Sequence, residues 1–227
     1  MSKNIDTKGK CEEYEVMRDA YWRELVLLTS QVKLYIHLIE KFNENKKLRS
    51  CSPFFWYLTL DCYWRSIVLG ITKLILDPNG REQSLTISYF LDKASDLEVI
   101  SEELKAELKV QADEISEKFK QLREVRDKKI AHFDNDVIKG KTIITYSYSF
   151  VELKELVDEI FAVFNRVSIE YEDMQFHNEI DKLYDVDFAL DCLSTMLEIY
   201  DARDWKSIKN ILGQFDPSFN FLPDERK

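Results

Sequence analysis

Glycine and proline are scarce in this chain, with five and four among 227 residues. Strand-rich folds need frequent tight turns and draw on both residues, so the shortage favours long helices. Cysteine is as rare. Cys11, Cys51, Cys62 and Cys192 show no C-x2-C spacing and no accompanying histidine pair. Reduced thiols are therefore expected rather than a zinc site or a disulfide framework. The sequence also lacks a Gly-rich phosphate loop, a Ser/His/Asp spacing and a metal-ligand cluster, so neither metal nor cofactor is expected. The first eight residues contain no apolar run and are not read as a signal peptide. The most hydrophobic stretch, Pro53 to Leu76, has the length to cross a bilayer. Asp61, Arg65 and Lys73 interrupt it, which suits a core helix better. A cytoplasmic protein with no membrane partner is expected.

An excess of basic charge is missing too. The formal net charge is −10, which argues against indiscriminate nucleic-acid binding over the whole surface. The charge is unevenly spread. Residues 150–204 hold fifteen Asp/Glu against four Lys/Arg, leaving the rest near neutrality. Within that remainder Lys118, Lys120, Arg123, Arg126, Lys128 and Lys129 crowd together, opposed in that stretch only by Glu124 and Asp127. Such a run is either a solvated helix flank or a local anion site.

The length suffices for one good core burying about 70–75% of the unfolded surface. One domain over residues 10–213 is the expectation, with a frayed N-terminus at 1–9 and a loose tail at 214–227. Two small domains are the alternative that composition leaves open. From Cys11 to Phe42, apolar residues from Tyr14 through Leu28 to Phe42 step by three and four, as on an amphipathic helix. Asn43 to Ser50 is polar and closes it. Ser52-Pro53 starts a second helix. Phe54, Phe55, Trp56, Trp64, Ile67 and Ile71 make it apolar on several sides, which predicts a central helix with neighbours all round. Asp61 and Arg65, one turn apart, are placed to pair at its less buried edge. Asp77-Pro78-Asn79-Gly80 stops it. A short helix over Thr86–Ala94 follows, then one capped by Ser101 and running to about Phe133. Asn135–Lys141 reads as a loop, and Thr142–Tyr148 as an ordered loop in preference to a lone extended arm. Ser149-Phe-Val-Glu152 is a capping box opening a helix through Tyr171. Val186–Tyr200 and Trp205–Leu212 are further helices. The architecture expected is all-α, an up-and-down helical bundle.

One grouping in the long helix carries chemistry. Leu108, Ala112, Ile115, Phe119 and Leu122 form an apolar row, and on α-helical spacing its next positions are Arg126, Lys129 and Phe133. Arg126 and His132 thus stand at the edge of a core-facing stripe, where desolvation is costly and needs a reason. His37, between Ile36 and Leu38, reads as a core-edge or surface residue, and His177 as a loop residue.

Arg126-Asp-Lys-Lys-Ile-Ala-His132 resembles the R-x4–6-H motif of the HEPN superfamily of small helical proteins. The stretch before it, hydrophobic from Tyr63 to Leu76 and followed by Asp77-Pro78 and Ser84-Leu85-Thr86, is similar to the abortive-infection branch of that superfamily. The resemblance spans roughly residues 10 to 200. It implies a HEPN-like bundle, RNA as substrate, and a symmetric homodimer in which Arg126 and His132 of both chains line one active site. Asp127 would orient one of them. Some HEPN toxins carry, two residues after the histidine, a tyrosine that a nucleotidyltransferase antitoxin modifies. Here that residue is Asp134, and the control is not carried over.

Metal-free RNA cleavage needs a base for the 2′-hydroxyl, an acid for the leaving oxygen and positive charge on the phosphorane. Histidine serves as either proton-transfer group near neutral pH, and arginine grips phosphate oxygens with a planar fork. At a helix end the exposed carbonyls and Asp134 favour the charged form of His132, whereas Arg126, Lys128 and Lys129 oppose it. Arg123, Lys128 and Lys129 are candidates for neighbouring phosphates, with steep salt dependence expected. The leading expectation is a metal-independent endoribonuclease acting as a toxin or phage-defence effector. The second is a non-catalytic HEPN-type module binding RNA, a nucleotide or a protein. An antitoxin or a basic protein docking on the acidic 150–204 region is a possible partner. The third is a helical interaction protein in which Arg126 and Asp127 form a structural ion pair.

Overall fold

The computed structural model describes residues 3–76, 85–131, 148–172, 175–176 and 184–201. Among them every regular element is helical, and the fold is all-α. The helices are α1 (Lys3–Glu44), α2 (Lys46–Cys51), α3 (Pro53–Ile71), α4 (Ile87–Asp96), α5 (Glu102–Phe119), α6 (Gln121–Val125), α7 (Phe150–Glu172) and α8 (Tyr184–Asp201). Two π-helical turns interrupt the α pattern: Thr72–Leu76 continues α3 and Arg126–Ala131 continues α6. Backbone contacts group the described residues into two compact units, one from 1–36 and 60–179, the other from 37–59 and 180–227.

The first unit is built on the stripes read from the sequence. Tyr14, Tyr21, Leu25, Leu28 and Val32 of α1 are all buried. Tyr21 lies between Phe90 of α4 and Phe164 of α7, with ring centroids 5.0 and 5.8 Å away. Gly70 shows why α3 carries one of the few glycines. A Cβ there would stand 3.1 Å from Leu28 Cδ1, tighter than ordinary contact. In the π turn that follows, the Thr72 hydroxyl donates to the Val68 carbonyl at 2.9 Å, satisfying one acceptor where the helix widens. Thr86 caps α4 by accepting from Tyr89 N at 3.2 Å. Ser101 caps α5 through Leu104 N at 3.2 Å. Ser149 and Glu152 form the reciprocal capping box at the start of α7. After α4 the chain reverses through Glu98, whose φ of 62° is left-handed. The bonds Val99 N to Ala94 O (2.8 Å) and Glu98 N to Ser95 O (2.9 Å) close that helix end.

In the second unit, Leu38, Phe42, Leu48 and Leu190 are buried. Trp56 packs on Phe42 with centroids 4.7 Å apart and donates its indole N–H to the Leu48 carbonyl at 3.1 Å. His37 holds α8 through Asp187 at 2.8 Å, with Lys41 joining at 3.4 Å. Asn45 donates to Ser194 at 2.8 Å.

Several expectations change. α1 begins at Lys3, ahead of the stripe at Cys11. Asn43–Ser50 is not an unstructured break. Asn45 caps the short helix α2, accepting from Lys47 N and Leu48 N, and Leu48 anchors it. The helix expected from Ser101 to Phe133 is divided at Lys120. There Lys120 N bonds Glu117 O and Arg123 N bonds Lys120 O, three residues apart in each case, a tightened turn. α3 is not surrounded. Ile67, Val68 and Ile71 are buried, but Phe54, Phe55, Tyr57 and Leu58 face solvent. Residues Asp77–Ser84, Asn135–Ser147, His177 and Trp205–Leu212, for which turns, loops or a helix are expected, lie outside the described residues, as does the tail from 214. The four cysteines are free thiols. No described helix is long and apolar enough to cross a membrane.

Candidate functional site

The apolar row that positions the motif runs unbroken through Leu108, Ala112, Ile115, Phe119, Leu122 and Val125, all buried. On α-helical spacing it would continue at Arg126 and Lys129. In the structure it continues at Ile130, which packs against the core. The step from Val125 to Ile130 is five residues, the repeat of π-helical hydrogen bonding. This is the physical reason for the wide turn at Arg126–Ala131. Adding one residue to the repeat brings an isoleucine, rather than a lysine, to the core side. The cations are thereby displaced to its margin. Wide turns of this kind recur at functional sites.

Arg126 is held there with 18% of its side chain exposed. Its Nε donates to Asp127 Oδ1 at 2.8 Å. The other Asp127 oxygen lies 4.0 Å from Arg123 Nε, one turn back. The carboxylate therefore stands between two guanidinium groups. Lys128 reaches Glu124 at 2.5 Å, and Lys129 is half-buried. His132 lies outside the described residues, so no geometry is assigned to it.

The basic cluster is more balanced than the sequence count implied. Lys118 points toward α7, 3.2 Å from Glu159, and Lys120 pairs with Glu117. Acids from the preceding turn and from a neighbouring helix thus oppose cations that looked unopposed. Arg123 also lines a groove of about 580 Å³ together with Lys109, Asp113, Glu117 and Lys120 of the same helical rod, and Asp92 of α4. Sequence reasoning did not single out these groove residues. Their signal was the spacing of four between Lys109, Asp113 and Glu117, which puts the three on one face. Lys109 pairs with Asp92 at 2.8 Å across the groove. Among the described residues no group of three or more His, Cys, Asp or Glu is disposed to hold a metal ion.

An all-α fold with an arginine–aspartate pair at a wide turn of its core helix defines a class, helical proteins of the HEPN type. The model of one such family, the abortive-infection family AbiU2, matches residues 11–207, and the chain belongs to that family. Searches of curated proteins and of solved structures return no match.

Proposed function

We propose that this protein is a metal-independent endoribonuclease of abortive infection, with RNA as substrate and Arg126, Asp127 and His132 at its active site. The observation that carries this reading is the placement of Arg126. A guanidinium kept at the margin of the core, steadied through Nε by one carboxylate, is presented for bidentate contact with phosphate. His132 supplies proton transfer. One histidine covers one of the two transfers needed, and a homodimer that brings two motifs into one cleft supplies the other. Arg123, Lys128 and Lys129 contact adjacent phosphates, exchanging carboxylate partners for phosphate oxygens as RNA enters. The protein acts in the cytoplasm, on the RNA of its own cell.

The test is cleavage of RNA by purified protein in EDTA, with cyclic phosphate ends expected and activity abolished in His132→Ala. Full activity in that variant rules out the role. Titrating wild-type protein with excess His132→Ala protein tests the shared cleft. Activity falls below the wild-type share if subunits exchange into a composite site, and stays proportional if each chain acts alone.

A second reading, a HEPN-type module that binds without cleaving, is favoured by the acids standing beside Lys118, Lys120 and Lys128. An inactive protein whose RNA affinity persists in Arg126→Ala supports it over the nuclease.

A further inference from the structure

We propose that α2 and the first turn of α3 form a docking surface for an anionic lipid bilayer. The motivating observation is the failure of α3 to be a buried helix at its N-terminal end. Phe54, Phe55, Tyr57 and Leu58 are 72, 56, 65 and 44% exposed. Spacings of three and four place them on one broad helix face. Trp56, on the opposite side, is used internally against Phe42 and the Leu48 carbonyl. Folding therefore fixes the turn in place through Trp56 and presents three aromatic rings and a leucine outward. Contiguous exposed apolar residues of this size mark an interaction site.

The charge around this face indicates the kind of surface it meets. From Asn45 to Leu60 there is no Asp or Glu, while Lys46, Lys47 and Arg49 lie just before the aromatic turn, all three exposed. In a chain of net charge −10 this is a local reversal of sign. An anionic bilayer repels the acidic remainder and attracts this segment, so orientation follows from electrostatics. Aromatic side chains beside lysine and arginine are the composition that settles at the headgroup level, with rings in the acyl boundary and cations at the phosphates. Such contact lies on the membrane and needs no spanning helix.

Two other occupants fit less well. A second copy meeting this face symmetrically would bring both sets of Lys46, Lys47 and Arg49 around the axis with no acid from the same segment to offset them. A protein partner is anchored by side chains seated in pockets. The grooves described here, of about 330 and 580 Å³, are lined from α5 and its neighbours and not from this turn. Here the rings project outward, as insertion into a soft interface requires.

The experiment is flotation of the full chain with vesicles of phosphatidylcholine alone and of phosphatidylcholine mixed with phosphatidylglycerol. Binding is expected to the mixed vesicles and to fall with salt. It should be lost in Phe54→Ser/Phe55→Ser, whose fold is checked by thermal melting. Lys46→Gln/Lys47→Gln/Arg49→Gln should weaken partitioning on the order of a hundredfold. Wild-type protein that ignores the mixed vesicles overturns the proposal and leaves the face to a protein partner, as does binding that survives both variants. A mass by light scattering that halves in Phe54→Ser/Phe55→Ser, without vesicle binding by the wild type, reassigns the face to self-association. None of these readouts depends on RNA cleavage.

Discussion

At the scale of single residues, Asp127 decides whether Arg126 is an instrument or a strut. The carboxylate accepts from Arg126 Nε at 2.8 Å, and Asn in its place keeps a side-chain oxygen to accept that bond. Asp127→Asn is therefore expected to retain most of the RNA-cleaving activity. Asp127→Ala should lose about tenfold, and Arg126→Ala about 10²–10³-fold, the usual cost of removing a group that stabilises developing charge. Single-turnover rates on one RNA check the order. Equal rates for wild type and Asp127→Ala, with a lowered melting temperature, would make the pair purely structural. Tyr21 poses a different question. Its ring is stacked in the core, but its hydroxyl is buried with no hydrogen-bond partner among the described residues, and burial pushes its pKa well above the ordinary value of 10.0. A phenol stripped of water without compensation costs stability. Tyr21→Phe keeps the ring and removes that cost, so unfolding free energy should be unchanged or rise by up to about 1 kcal/mol. A denaturation midpoint that drops would show that the hydroxyl does have a partner.

At the scale of elements, the wide turn at Arg126–Ala131 is the feature that sequence periodicity could not reach. The rows Leu108–Ala112–Ile115–Phe119–Leu122 on α5 and α6 and Leu153–Leu156–Ile160–Phe164 on α7 were legible because burial repeats every three or four residues along an α-helix. The caps at Ser101 and Ser149 were legible because each hydroxyl meets a free N–H at a fixed offset. A local change of repeat from four to five leaves no such mark. Arg126 and Lys129 therefore read as members of the row, and Ile130 did not. The aromatic turn of α3 was misread for a related reason, since composition reports that a segment is apolar and not what covers it. The wide turn is testable by deletion. Removing Lys129 shortens the repeat and lets α-helical bonding continue, turning everything after it by about 100° relative to Arg126. The deletion is expected to leave the helical circular dichroism spectrum intact and to abolish cleavage. Retained cleavage would show that the spacing between Arg126 and His132 does not need the wide turn.

At the scale of the whole molecule, 42 acidic residues against 32 basic ones make pH the strongest external lever on stability. Several carboxylates sit below their ordinary range. Glu152 is lowered from 4.5 by the Ser149 backbone N–H and then by the Ser149 hydroxyl, and Glu98 by Lys10. For Asp187, desolvation raises the pKa, but His37 and Lys41 more than offset it and the net shift from 3.8 is downward. Each group binds its proton less readily folded than unfolded. Below the unfolded values the unfolded chain takes up more protons, so the stabilisation these groups supply is full above about pH 5 and is lost as pH falls through their folded values. The urea midpoint should accordingly hold level from pH 7 to 5 and decline below it. Glu152→Gln/Asp187→Asn should lower the midpoint at pH 7 and flatten the acid decline, because those carboxylates no longer titrate. An acid slope identical to that of the wild type would mean that other carboxylates govern it. The second helix of that pair adds a local readout. Asp187 links α8 to His37 and Lys41 of α1, so amide exchange on α8 should quicken on acidification before the core of α5 and α7 responds.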